Sequence, residues 1–154
     1  MPLPFKNLTA AAVLSIAALT APAHAEMIAK TSPHSVSETM DRLEAAVTAA
    51  GATVFARVDH AAGAMKVEQE LRPTQLLIFG NPKLGTPAMQ DAQTAGLDLP
   101  LRVLADADAE GVVHVTYHAP SSLVAEHGLP ADAAYPKMMT GALDKLTGKA
   151  VAAK

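Results

Sequence analysis

The sequence contains no cysteine and no tryptophan. Without cysteine, the chain forms no disulfide and offers no thiolate for catalysis, for a zinc ribbon or for an iron–sulfur cluster. Any metal would have to be held by histidine and carboxylate side chains. Aromatic residues make up only 3% of the chain, so surfaces on which bases or sugars could stack are scarce.

The sequence also lacks a run of basic residues, and its formal net charge is -3. A chain of this kind is a poor electrostatic partner for nucleic acid or for an anionic membrane surface. Neither a Gly-x-Ser-x-Gly elbow nor a phosphate-binding glycine loop occurs in it, which argues against two common kinds of enzyme site. We therefore predict no nucleic-acid partner, no cofactor and no metal.

The longest run of mainly apolar residues lies at the N-terminus. Residues 1–25 carry Lys6 as their only Lys, Arg, Asp or Glu, then an apolar run over residues 8–19, and end in Ala-His-Ala. This pattern is typical of a bacterial secretory signal peptide that is cleaved after Ala25. We expect one mature domain over residues 26–150, in the periplasm or secreted, with no membrane attachment after cleavage. The open alternative is an uncleaved N-terminal anchor.

Half of the 154 residues are hydrophobic, which is enough for one domain with a sizeable core. The segment Leu-Leu-Ile-Phe-Gly-Asn-Pro, residues 76–82, predicts a central strand covered on both faces and ending in a turn. The clearest helix is expected over residues 35–50, because Ser35 and Glu38 form a capping box and Gly51 follows as a stop signal. Its predicted buried stripe consists of Val36, Met40, Leu43, Val47 and Ala50.

The remaining patterns predict an α+β domain. Strands are expected over residues 27–31, 53–60, 101–105 and 112–118, with His60 projecting toward the core or a pocket. Helices are expected from Thr86-Pro87 toward Gly96, from Ser121 or Ser122 to His127, and over 135–146, with a frayed tail from Thr147.

Several of these segments occur together in a known family. They are the Val-Phe-Ala-Arg-Val-Asp-His run ending at His60, the Leu-Arg-Pro-Thr turn over 71–74, the 76–82 segment, and Thr86-Pro87 followed by Met89. In this combination the sequence resembles the bacterial domain-of-unknown-function family 302 (DUF302). The resemblance implies a two-layer sandwich, mainly an antiparallel sheet backed by helices, and no established biochemical activity.

The same resemblance suggests four ligand-binding candidates, His60, Arg72, Asn81 and Tyr117, whose positions are typical of the family. Each lies at a predicted strand end or in the adjoining turn. An arginine with a histidine and an amide suits a small ligand that carries a carboxylate or phosphate. The structural alternative is that Asn81 ties its own turn and that His60 is a hydrogen-bonded core residue.

Two other polar patterns favour structural interpretations. His114 and His118 share one face of a predicted strand, about 13 Å apart, which is too far for one metal ion. The acidic segment 106–111 imitates the opening of a calcium-binding loop, but Tyr117 occupies the position that needs a bidentate glutamate. It is better interpreted as the turn of a β-hairpin.

The sequence indicates no particular reaction. We favour a domain that binds a small ligand, anionic if Arg72 contacts it, or a partner protein. One alternative is an enzyme in which His60 is the general base and Arg72 holds an anionic substrate. Another is a homodimeric assembly protein that buries exposed apolar residues such as Phe55 in its interface.

Overall fold

The computed structural model describes residues 26–153. The strands are β1 (Met27–Ser32), β2 (Thr53–Asp59), β3 (Thr74–Gly80), β4 (Leu101–Ala107) and β5 (Val113–His118). The helices are α1 (Val36–Ala49), α2 (His60–Met65), α3 (Pro82–Asp91), α4 (Ser121–His127) and α5 (Ala134–Val151), with a 3-10 helix at Gln93–Leu97. Residues 1–25, for which the sequence predicts a signal peptide, lie outside this range. None of the helices described over residues 26–153 has both the length and the apolar character needed to cross a membrane.

The five strands form one sheet in the order β1-β5-β4-β3-β2, and every neighbouring pair is antiparallel. Helices α1 and α5 cover one face of it. This arrangement confirms the predicted α+β sandwich, an antiparallel sheet backed by helices.

Strand β3 is an interior strand, as the 76–82 segment predicts, but it is not covered on both faces. Leu77 and Phe79 are buried against the helices, whereas Leu76 and Ile78 are only half-buried on the opposite face. The prediction of two covered faces is therefore wrong. An antiparallel sheet needs helices on one face only, because its strands can leave the other in contact with solvent.

Helix α1 begins as predicted, since Ser35 Oγ accepts a hydrogen bond from the Glu38 backbone N–H at 3.2 Å. Its buried face contains Ala46 in addition to four residues of the predicted stripe, and it differs in one further place. Ala50 is exposed at the end of the helix, and Thr39 is buried instead. The Thr39 hydroxyl lies 2.7 Å from Ser32 Oγ in β1, and this hydrogen bond allows a polar residue to lie on the buried face.

Helix α5 is longer than predicted and extends to Val151, so the chain does not fray at Thr147. Thr147 and Ala150 are fully buried against the core. The end of the helix is held by Arg42 of α1, whose Nε donates to Ala150 O at 3.0 Å and whose Nη2 donates to Ala152 O at 2.8 Å. The Arg42 guanidinium thus supplies hydrogen-bond donors to carbonyl groups at the C-terminus of the helix, where such groups have no partner within the helix itself.

Helix α3 begins at Pro82, four residues before the predicted start at Thr86. Asn81 Oδ1 accepts a hydrogen bond from Lys83 N at 2.9 Å, and Pro82 occupies the first turn, where its missing N–H costs nothing. The helix therefore begins at Asn81-Pro82 and not at Thr86-Pro87, and Pro87 lies inside it.

Strand β2 contains a bulge at Phe55. Val54 pairs with Phe79 and Ala56 with Ile78, so the intervening residue is extra and the alternation of faces shifts. Phe55 is 58% exposed. The strand ends at Asp59, and His60 begins α2 on the surface rather than projecting toward the core.

Candidate functional site

The structure separates the four residues that the sequence suggests for a ligand site. His60 is exposed where β2 ends. Arg72 is exposed at the same end of the sheet, where its Nε donates to Ala107 O at 2.9 Å. Asn81 lies at the opposite end of β3 and caps α3. Tyr117 is 4% exposed and belongs to the core beneath the helices.

These positions do not form one site. A ligand could reach Asn81 or the end that carries His60 and Arg72, but the length of β3 separates the two. For Asn81 the structure agrees with the structural alternative, a side chain that ties its own turn. A binding role for His60, Arg72 or Tyr117 individually stays a prediction.

A cavity of about 350 Å³ lies where β3 leaves the sheet and enters α3. Asn81 alone of the four candidates lines it. The side chains around it are mainly apolar. They include Phe55, Leu84, Met89, Leu99, Leu101 and Met139.

Two glycines, Gly80 and Gly85, line this cavity. A Cβ atom at Gly80 would lie 3.3 Å from Pro100 Cβ, so β3 closely approaches the segment before β4. A Cβ atom at Gly85, in α3, would contact Leu99 and Met89 at ordinary distances of 3.8 and 3.9 Å. Gly85 therefore lies against the cavity wall without being needed for close packing.

The cavity is suited to an apolar molecule. None of the residues that line it is charged, and Asn81 and Thr86 supply its only polar side chains among the described residues. Ligand sites of this type are lined mainly by apolar groups with a few polar ones that fix orientation. A carboxylate or phosphate group would find no cationic partner there.

Helices α3 and α5, which contribute Met89 and Met139 to the cavity, are joined by a partly buried hydrogen bond. The Tyr135 hydroxyl donates to Asp91 Oδ2 at 3.1 Å. Burial, and next the hydrogen bond to Asp91, raise the pKa of Tyr135. The phenol therefore stays protonated, as this donor role requires.

A separate cluster of Asp98, Glu126 and His127 lies outside the cavity. His127 Nε2 is 2.7 Å from Asp98 Oδ2, and Arg102 Nη2 donates to Asp98 Oδ1 at 2.9 Å. Sequence reasoning missed this cluster, because Asp98 and His127 are 29 residues apart and neither belongs to a motif.

The acidic segment 106–111 contains a hairpin turn, as interpreted from the sequence. Asp108 Oδ1 accepts hydrogen bonds from Glu110 N at 3.0 Å and Val112 N at 2.8 Å. Its Oδ2 lies 2.9 Å from His114 Nε2. The hydrogen bond with His114 is the main reason that the pKa of Asp108 is lowered.

Comparison with protein families matches residues 28–146 to a domain of unknown function, DUF302. Among solved structures, the chain is similar to an uncharacterized conserved DUF302 protein from Bacillus stearothermophilus, with a TM-score of 0.66. The alignment covers 81% of this chain and 94% of that one at 17% sequence identity, so the likeness concerns the fold.

Curated relatives come from Brucella. Proteins named fluoride-specific ion channel FluC 1 in Brucella suis and Brucella abortus are each 49% identical over 112 residues. The match covers 71% of this chain but only 44% and 42% of those proteins. The chain thus spans less than half the length of these relatives, and more than half of each relative has no counterpart in the match.

Proposed function

The chain belongs to the domain-of-unknown-function family 302, and we propose that it binds a small, mainly apolar molecule in the cavity between β3, α3 and α5. The observation that carries the proposal is the cavity itself, about 350 Å³ in volume, which no charged residue of the described range 26–153 lines. An engineered apolar cavity of about 150 Å³ is known to hold benzene. The cavity here has room for a two-ring aromatic compound or a short acyl chain.

The mouth of the cavity supports the same function. Phe55 lines the cavity and is 58% exposed at the bulge of β2. A large apolar side chain in this position can cover a bound molecule and so remove more of its surface from water. The homodimer that the sequence suggests through Phe55 stays a separate prediction.

The proposal is tested by filling the cavity with Gly85→Leu. The new side chain starts at ordinary contact distance from Leu99 and Met89, so we expect a folded protein with less room for a ligand. Fluorescence titration with the neutral probe N-phenyl-1-naphthylamine should show binding to the natural chain and at least tenfold weaker binding to the variant. An anionic naphthalene sulfonate should bind the natural chain less tightly, because no cation lines the cavity.

The matched control is Gly141→Leu in α5, where a Cβ atom meets nothing within 4 Å. It adds the same side chain at an exposed position of α5 that does not line the cavity and should leave probe binding unchanged. Equal affinity in Gly85→Leu and the natural chain, with both folded by circular dichroism, would place the probe elsewhere and count against the proposed site.

A second candidate function follows from the relatives named as fluoride-specific ion channels. We propose that the chain is a partner of such a channel in tolerance to fluoride, since 112 of its residues are 49% identical to part of those proteins. The expected result is that a strain lacking the chain grows less well in sodium fluoride but equally well in sodium chloride. Restored growth on re-expression would support the role, and unchanged fluoride tolerance in the deletion strain would contradict it.

A further inference from the structure

We propose that Asp98, Glu126 and His127 bind one divalent transition-metal ion of the zinc class. Each of these residues offers one ligand atom, and the three atoms lie within 4.8 Å of one another. One imidazole and two carboxylates form an oxygen- and nitrogen-donor set of the kind that Zn²⁺ accepts. The sequence predicts no metal, because these residues come together only in the fold.

His127 is held in a position that suits a ligand. Its side chain is only 7% exposed, and Nδ1 lies 3.1 Å from Thr94 Oγ1. When Nδ1–H donates to Thr94, the lone pair of Nε2 faces Asp98 Oδ2 at 2.7 Å. In the other tautomer Nε2–H donates to this carboxylate, and a metal ion would take the place of that proton. A hydrogen bond on the second ring nitrogen, as to Thr94 here, is usual for a ligating histidine.

The distance between the ligand atoms is close to that of a zinc site, so only a small movement of the side chains is needed for coordination. Zinc binds nitrogen and oxygen at about 2.0–2.2 Å, so two ligands in a tetrahedral site lie about 3.4 Å apart. The His127 and Asp98 atoms would have to separate by about 0.7 Å. Glu126 is exposed, and its side chain is therefore free to turn toward the ion.

The surrounding charges also fit. Arg102 donates to Asp98 Oδ1 at 2.9 Å, which orients the carboxylate and leaves Oδ2 for the metal. The two carboxylates and this guanidinium sum to one negative charge, which an ion of charge +2 changes to a single positive charge. A small cavity of about 100 Å³ borders Asp98, Glu126 and His118, so a water molecule has room to complete the coordination.

The test is metal titration of the chain after dialysis against a chelator. Calorimetry with Zn²⁺ and visible absorption with Co²⁺ should both show one ion per chain. Asp98→Asn should abolish binding, and Glu126→Gln should weaken it at least tenfold. Because Glu126 is exposed, its metal-free variant should unfold at the same temperature as the natural chain, which separates loss of a ligand from loss of structure.

The matched control is Asp108→Asn. His114 Nε2 lies 2.9 Å from Asp108 Oδ2, which is a similar histidine–carboxylate pair, but it does not belong to the metal-type cluster of the described residues. We expect its loss to leave zinc binding unchanged. Absence of a stoichiometric ion, wild-type affinity in Glu126→Gln, or loss of binding in Asp108→Asn would each overturn the proposal. None of these results depends on the apolar cavity.

Discussion

Replacing Phe79 with alanine is expected to lower the free energy of unfolding by about 3–5 kcal/mol. Phe79 is 2% exposed in β3, where its neighbours across the sheet are Val54 and Leu101. Removing the ring takes away its contacts with the core and leaves a cavity that a close-packed interior closes only in part. Urea denaturation followed by circular dichroism measures the change.

Phe55→Ala is the matched control, because it makes the same chemical change in the neighbouring strand. Phe55 is 58% exposed, so its ring contributes less burial, and we expect a loss of about 1 kcal/mol or less. Equal losses in the two variants would show that the helix-covered face of the sheet is not the main core.

The contrast between these phenylalanines also shows how far the sequence predicts the fold. The apolar run around Phe79 predicts an interior strand correctly. It does not reveal that only one face is covered, since Leu76 and Ile78 are half-buried while Leu77 and Phe79 are buried. The bulge at Phe55 has no comparable signal. The alternation of side chains over residues 53–60 predicts a regular strand, in which Val54 and Ala56 would share one face. Only the pairing of β2 with β3 shows that these two residues lie on opposite faces.

Local signals also predict most helix positions and fail where two of them compete. The N-cap at Ser35 acts alone and is found in the structure. Asn81-Pro82 and Thr86-Pro87 both resemble helix starts, and the earlier pair begins α3. The end of α5 depends on Arg42, more than a hundred residues earlier, so no pattern within the helix predicts it.

The sites were harder to predict than the fold, because they depend on contacts between distant segments. Residues at strand ends come together only when those ends lie at the same end of the sheet. Asn81 lies at the end opposite to His60 and Arg72. The cavity joins Phe55 of β2 to Met139 of α5. Neither residue has a polar group that would mark it as functional in a sequence.

Thr39→Val is expected to destabilise the protein by about 1–3 kcal/mol, even though the two side chains have nearly the same shape. The Thr39 hydroxyl is fully buried and lies 2.7 Å from Ser32 Oγ, which is itself 6% exposed. The variant deprives the Ser32 hydroxyl of this partner while keeping it away from water. Thr48→Val is the control in the same helix, since Thr48 is exposed, and we expect a change within about 0.5 kcal/mol.

The double variant Ser32→Ala with Thr39→Val decides whether the hydrogen bond is responsible. Removing both hydroxyls leaves neither member of this pair without its partner. The His34 N–H, which donates to Ser32 Oγ at 3.2 Å, loses its acceptor in the Ser32→Ala single variant and in the double variant alike, so the double variant should still be more stable than the sum of the two single losses predicts. Urea denaturation of the four chains gives this coupling, expected at about 1 kcal/mol. Strictly additive losses would mean that the hydroxyls act separately and that packing, not their contact, joins β1 to α1.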